Sequence, residues 1–217
     1  MHSQQLLLSY TDAGAPPVAF VGFTTGTLSS SSFSYTPVAG SAIGDFVVAF
    51  IRSDSSSQAT TVSGWTTELT VGPTIVSGNG VYRKIQYFRL ASISAQTLTI
   101  TASTSGVSAT FMVFRNVRVS TPITNSSSGS WTNPGASSPT PLSPAKSGAV
   151  AGQTLVYLIG GSNSITLTPV GSSGAMSTAT SEMRYRSLAV DGNYSWTGTW
   201  AGGTGAGMQH QLVLNPG

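Results

Sequence analysis

The chain has 217 residues, of which only 7% are charged, and its nine Lys and Arg against six Asp and Glu give a net charge of +3. Ordinary globular domains carry roughly a quarter charged residues, so the dense basic clusters of tight nucleic-acid binders are missing from this sequence. It has no Cys and two His, which excludes disulfides and thiol chemistry and argues against a zinc site. The 39% hydrophobic share is enough for a packed core.

Residues 1–17 are predicted to form an N-terminal arm. In an extended chain the consecutive residues Leu6, Leu7 and Leu8 alternate between faces, so the arm is apolar on both sides. The prolines at positions 16 and 17 stiffen the passage into the first strand. No basic region precedes the leucines, which argues against a secretory signal. We expect the arm to bury these leucines on a neighbouring protein.

Two kinds of strand follow along the chain. Residues 97–102 and 194–200 alternate apolar and polar side chains, as half-buried antiparallel strands do. Residues 46–51, 111–114 and 155–159 are apolar on both faces, and such strands need a second cover from a loop, an arm or another subunit. Phe50 and Phe114 are therefore candidate subunit-contact residues. No segment shows a capped helical period, so we expect essentially no long helix.

Residues 120–147 are predicted to be a long extended crossover, because they combine five prolines with Ser, Thr and Gly. Trp131 lies in the middle of this segment and is expected to pack against a partner. The segment separates two similar halves at an offset of about 100 residues, too long for a solenoid repeat. We predict an all-β fold: one antiparallel, jelly-roll-like β-sandwich over residues 18–217, built from two pseudo-repeated halves of about four strands each. Two tandem immunoglobulin-like domains are the alternative.

Chemistry-bearing residues are sparse. The six acids could supply a carboxylate pair for a glycan hydrolase, but several lie in turn contexts, and no Gly-x-Ser-x-Gly elbow is present. We predict no catalytic, cofactor-binding or metal-binding residues, and the apolar runs are too short to span a membrane. Tyr194, Trp196 and Trp200 share one strand face, which favours a core position but leaves a glycan-binding surface open.

Several short motifs follow one another in a recognisable order: GDFVVAF at 44–50, SGWT at 63–66, YRK at 82–84, RLA at 89–91, LTIT at 98–101 and FRNV at 114–117. In this order they resemble the jelly-roll virion proteins of tailed bacteriophages, which occur as capsid decoration (cement) proteins, head fibres and tail-fibre modules. The resemblance covers about residues 40–119 well and the second half weakly.

The resemblance implies a non-enzymatic virion component, often trimeric. We therefore expect a decoration protein on the capsid exterior, which forms a homotrimer, binds the major capsid protein and touches no nucleic acid or membrane. Its expected contact residues are Leu6, Leu7, Leu8, Phe50, Phe114 and Trp131. The alternative function is a tail or baseplate module that binds a host cell-surface glycan.

Overall fold

The computed structural model describes residues 14–28, 32–53, 59–62, 67–76, 81–101, 107–132, 145–161, 174–178, 181–189, 192–195 and 206–217. All the regular secondary structure in these ranges is β-strand, with no helix among the described residues. This confirms the all-β class. The strands are β1 (Ala19–Leu28), β2 (Ser32–Tyr35), β3 (Phe46–Ser53), β4 (Ala59–Val62), β5 (Thr67–Val76), β6 (Val81–Arg89), β7 (Gln96–Thr101), β8 (Val107–Arg115), β9 (Ile123–Thr132), β10 (Ala145–Ala149), β11 (Thr154–Gly161), β12 (Gly174–Thr178), β13 (Ser181–Ser187), β14 (Gly192–Ser195) and β15 (Ala206–Leu214).

The first half of the chain forms a five-stranded antiparallel sheet, here called sheet I, in the order β1-β8-β3-β6-β5. A three-stranded sheet, β2-β7-β4, accompanies it. The pairings β1 with β8, β2 with β7 and β3 with β6 are nested: each pair encloses the next one along the chain. The first half therefore holds eight strands, not the four that the sequence pattern predicted.

The second half forms another five-stranded antiparallel sheet, here called sheet II, in the order β12-β13-β11-β15-β9. The strands β10 and β14 pair separately. In the opposite direction, the order of sheet II is β9-β15-β11-β13-β12. These strands correspond one by one to β1-β8-β3-β6-β5 of sheet I. The two halves thus use the same pairing plan within the described residues.

The predicted extended crossover is in part a strand. Strand β9 lies inside residues 120–147 and pairs with β15 along its length, from Ile123 opposite Leu214 to Thr132 opposite Ala206. Sequence reasoning missed β9 because this strand lies at the edge of sheet II. Backbone hydrogen bonds hold such a strand in place without the apolar alternation that reveals half-buried strands.

Sheets I and II pack face to face around one hydrophobic core. Alternate residues of β3, Phe46, Val48 and Phe50, point into it together with Phe114 of β8. Sheet II contributes the side chains of Val156, Leu158, Met183, Leu212 and Leu214. This core joins the two halves of the chain into one packed body.

The opposite face of sheet I carries a second core. Val47, Ala49 and Ile51 of β3 pack there with Phe111 and with Tyr35 of β2. Strand β3 is therefore apolar on both faces because sheet II covers one face and β2 lies over the other.

This packing corrects the expectation for two predicted contact residues. Phe50 and Phe114 are 2% and 0% exposed and lie between sheets I and II, so they do not form a surface that another subunit could reach. The cover that the two-faced strands require comes from the second half of the same chain. The argument for self-association through these two side chains fails, and the homotrimer itself stays a prediction.

We expect Phe114→Ala to lower the free energy of unfolding by about 3–5 kcal/mol, because the substitution leaves a cavity between the sheets. The matched control is Phe23→Ala on β1, where the side chain is 44% exposed and the loss should stay below about 1 kcal/mol. Urea denaturation followed by tryptophan fluorescence measures both. Equal losses in the two variants would contradict the placement of Phe114 in the core.

Candidate functional site

One end of the molecule gathers most of the described connections between strands. The segments that meet there are residues 38–45 with Leu90, residues 116–122, residues 150–153 and the C-terminal residues 215–217. Backbone hydrogen bonds tie these segments together, among them Leu90 N to Asp45 O (2.9 Å) and Arg118 N to Asn215 O (2.9 Å). We call this surface the Arg118 end, because Arg118 lines both depressions found on it.

A carboxylate–guanidinium pair fixes the turn before β3. Asp45 is 4% exposed and accepts hydrogen bonds from Arg115 Nε (3.0 Å) and Nη2 (2.8 Å) and from the backbone N of Ala42 (2.8 Å). The hydrogen bonding of Arg115 to the Asp45 carboxylate, aided by the negative charge of Asp45, raises the pKa of Arg115. Because its carboxylate oxygens are engaged in this way, Asp45 acts as a structural acid that shapes the turn.

The turn before β11 repeats this arrangement with neutral side chains. Gln153 Oε1 accepts a hydrogen bond from the backbone N of Val150 (2.9 Å), and Gln153 Nε2 donates to Asn215 Oδ1 (2.8 Å). Gly44 and Gly152 occupy corresponding positions with φ of 90° and 85°, a region that favours glycine. Both turns therefore have the same backbone shape and differ in charge.

Arg89 holds the connection between β8 and β9 against sheet I. Its guanidinium donates to the carbonyl oxygens of Val117 (3.1 Å) and Arg118 (2.6 Å) and lies 5.2 Å from the ring centroid of Phe46, within cation–π range. Arg118 Nε in turn donates to Pro216 O (3.1 Å). The connection between the halves is thus fixed from both sides.

The Arg118 end exposes aliphatic side chains in spite of this polar framework. Ile43, Val119 and Val150 are 71%, 78% and 53% exposed. Ile43 and Val119 line an open depression of about 710 Å³, and Val150 lines a second of about 510 Å³. Exposed apolar side chains grouped with polar neighbours are typical of protein-binding surfaces. We therefore take the Arg118 end as the candidate functional site.

A buried polar pair spans the core between the two sheets. The hydroxyl of Tyr87 on β6 lies 2.7 Å from Nε2 of His210 on β15, and both side chains are at most 2% exposed. Burial lowers the pKa of His210 to about 4 and raises the pKa of Tyr87. The pair links the two halves and is closed to ligands from outside.

Of the six predicted contact residues, only Phe50 and Phe114 have described side chains, and both lie in the core between sheets I and II. Leu6, Leu7 and Leu8 lie outside the described residues. Trp131 is in β9, where it pairs with Gly207. The described part of the structure does not include the side chain of Trp131. Sequence reasoning missed Ile43, Val119 and Val150. The available signal was an aliphatic residue within a turn segment, where no strand can bury it.

No group of three or more His, Cys, Asp or Glu side chains in the described ranges could hold a metal ion. Likewise, none of the elements described is a helix long and apolar enough to cross a membrane. The chain matches no protein-family model, no curated protein and no solved structure.

We expect acid to destabilise the fold through His210. The pKa of this imidazole is 6.5 in the unfolded chain and about 4 in the fold, so its contribution is complete above pH 6.5 and declines as the pH falls to 4. The maximum loss is about 3 kcal/mol. Urea unfolding at pH 7 and pH 4 should show this extra loss in the wild type relative to His210→Gln. Identical pH profiles for the two proteins would contradict it.

Proposed function

We propose that the chain is a non-enzymatic virion protein of a tailed bacteriophage, a decoration protein that binds neighbouring major capsid protein subunits on the capsid exterior and stabilises the head. The observation that carries the proposal is the Arg118 end, a rigidly tied surface with exposed Ile43, Val119 and Val150. The motifs at residues 44–50 and 114–117 that resemble phage virion proteins flank this same end.

We also propose that the two halves are jelly rolls that arose by duplication. The shared strand order supports this, and so do the hydrogen bonds of the two turns: Leu90 N to Asp45 O and Leu188 N to Gln153 O are both 2.9 Å. Aligned on these bonds, Tyr87 corresponds to Tyr185, and both contribute to the core between the sheets. A duplicated unit offers two related sets of turns at one end of the molecule.

A stiff body with several weak contacts suits a decoration role. When one molecule touches several fixed capsid subunits at once, each later contact forms at a high effective concentration, so modest patches add to a strong attachment. The low charge of the chain fits contacts made through apolar and hydrogen-bonding groups, whose strength depends little on salt.

Many of the described aromatic side chains lie in the core, which supports the decoration role, whereas the side chains of the glycan-binding candidates Tyr194, Trp196 and Trp200 lie outside the described part of the chain. A glycan-binding module would present clustered exposed aromatic rings. Phe23 is exposed on β1, and Phe20 and Tyr185 are partly buried and stack on each other against the core. The large side chains that are fully buried include Tyr35, Tyr87, Phe46, Phe88, Phe111 and Phe114.

We expect a chain that starts at Pro17 to keep its fold and to lose capsid binding by about tenfold or more, because Leu6, Leu7 and Leu8 no longer hold the molecule to its neighbours on the particle by apolar contact. Co-sedimentation with capsids that lack the protein measures binding, and circular dichroism checks the fold. A full chain with all three leucines changed to Ser should behave like the truncation, whereas Phe23→Ser should bind normally. Unchanged binding of the truncated chain would reject the role of the arm, and binding to host envelopes in place of capsids would favour the glycan-binding alternative.

A further inference from the structure

The apolar side chains at the Arg118 end lie beside the point where the N-terminal segment leaves the folded body. Asn116 Nδ2 donates to the carbonyl oxygen of Pro17 (3.2 Å), and Val18 N donates to Gly152 O (3.1 Å). Gly152 directly follows the turn residues Val150 and Ala151. Residues before position 14 therefore start from the same end of the molecule as the exposed patch.

The composition of the N-terminal segment complements this patch. Residues 1–13 contain Leu6, Leu7 and Leu8 and a single charged side chain at neutral pH, that of Asp12. The Arg118 end offers aliphatic side chains together with the guanidinium groups of Arg115 and Arg118. Apolar contact supplies the binding energy in such a pairing, and one carboxylate near guanidinium groups orients it.

The length of the segment indicates which copy it reaches. Leu8 precedes Pro17 by nine positions, a separation of about 30 Å when the chain is extended. A five-stranded sheet is only about 19 Å wide, since neighbouring strands lie about 4.8 Å apart. The adjacent residues Pro16 and Pro17 favour an extended exit over an immediate reversal. The segment is therefore long enough to place its leucines beyond the edge of its own copy.

We propose that residues 4–12 of one copy bind across the Arg118 end of a second copy, with the leucines against Ile43, Val119 and Val150 and with Asp12 near Arg118. The proposal deepens the proposed function and rests on it for its setting, because exchanged arms would link neighbouring decoration proteins on the particle. A head-to-tail exchange of this kind closes into a ring when the rotation between copies allows it.

Engineered cysteines test the contact, because the chain has no Cys of its own. Full-length Leu7→Cys and full-length Val119→Cys, made with different affinity tags, are mixed and oxidised mildly. We expect a disulfide-linked heterodimer on a non-reducing gel. The matched control replaces Val119→Cys by Thr25→Cys, at an exposed position of β1, and should give about tenfold less heterodimer. Equal yields with the two partners, or no heterodimer at all, would overturn the proposal.

The double variant Leu7→Cys, Val119→Cys distinguishes exchange between copies from binding within one copy. Exchange predicts disulfide-linked dimers and larger species, whereas a faster-migrating monomer would show that the segment covers its own copy and would overturn the proposal. Sedimentation velocity without any cysteine adds a second measurement. Val119→Asp should weaken self-association at least about tenfold, and Thr25→Asp should leave it unchanged.

The same experiments distinguish failure of the arm exchange from failure of the decoration role. A full chain that binds capsids but stays monomeric and gives no heterodimer overturns the arm exchange and leaves the decoration role standing. A chain that forms the heterodimer but ignores capsids retains the exchange and removes the decoration role.

Discussion

The packing of sheet I against sheet II is the contact on which the rest of the structure depends. Both sheets place large apolar side chains on the facing surfaces, and the hydrogen bond between Tyr87 and His210 lies within the same core. A buried polar pair has favourable energy only while both partners are present. Since exposure of either sheet would leave Phe50, Phe114 and their neighbours in water, the two halves are stable together as one body.

This packing also determines where a partner can bind. Both faces of the central strands β3 and β8 are covered within the chain, and the described exposed aliphatic side chains lie in turns and connections. At the Arg118 end, the hydrogen bonds of Asp45, Gln153 and Arg89 hold these turns in fixed shapes. A fixed surface loses little conformational entropy on binding, and this pre-organisation favours affinity. The proposed partner surface is therefore a product of the same framework that closes the core.

The two turns before β3 and β11 have similar backbone hydrogen bonds but are held by side chains of different charge. The first turn is held by a charged pair, Asp45 and Arg115, and the second by the neutral pair Gln153 and Asn215. A pair of amides avoids the cost of desolvating ions, whereas the charged pair forms stronger hydrogen bonds. The two halves thus combine the same strand order with different electrostatics at these turns.

The sequence by itself determined the all-β class, because period-two alternation and the absence of helical periodicity depend only on local geometry. It also showed that residues 46–51 and 111–114 need cover on both faces. The tertiary structure decided what supplies that cover: sheet II of the same chain takes the place that the sequence left open for a subunit, since pairing between distant strands leaves no local signal. The edge strand β9 was likewise beyond sequence reasoning, because its backbone pairing depends on a neighbour that is remote in the chain. The turn context of Ile43, Val119 and Val150 was a local signal, but the tertiary structure decided that these residues lie at the same end of the molecule.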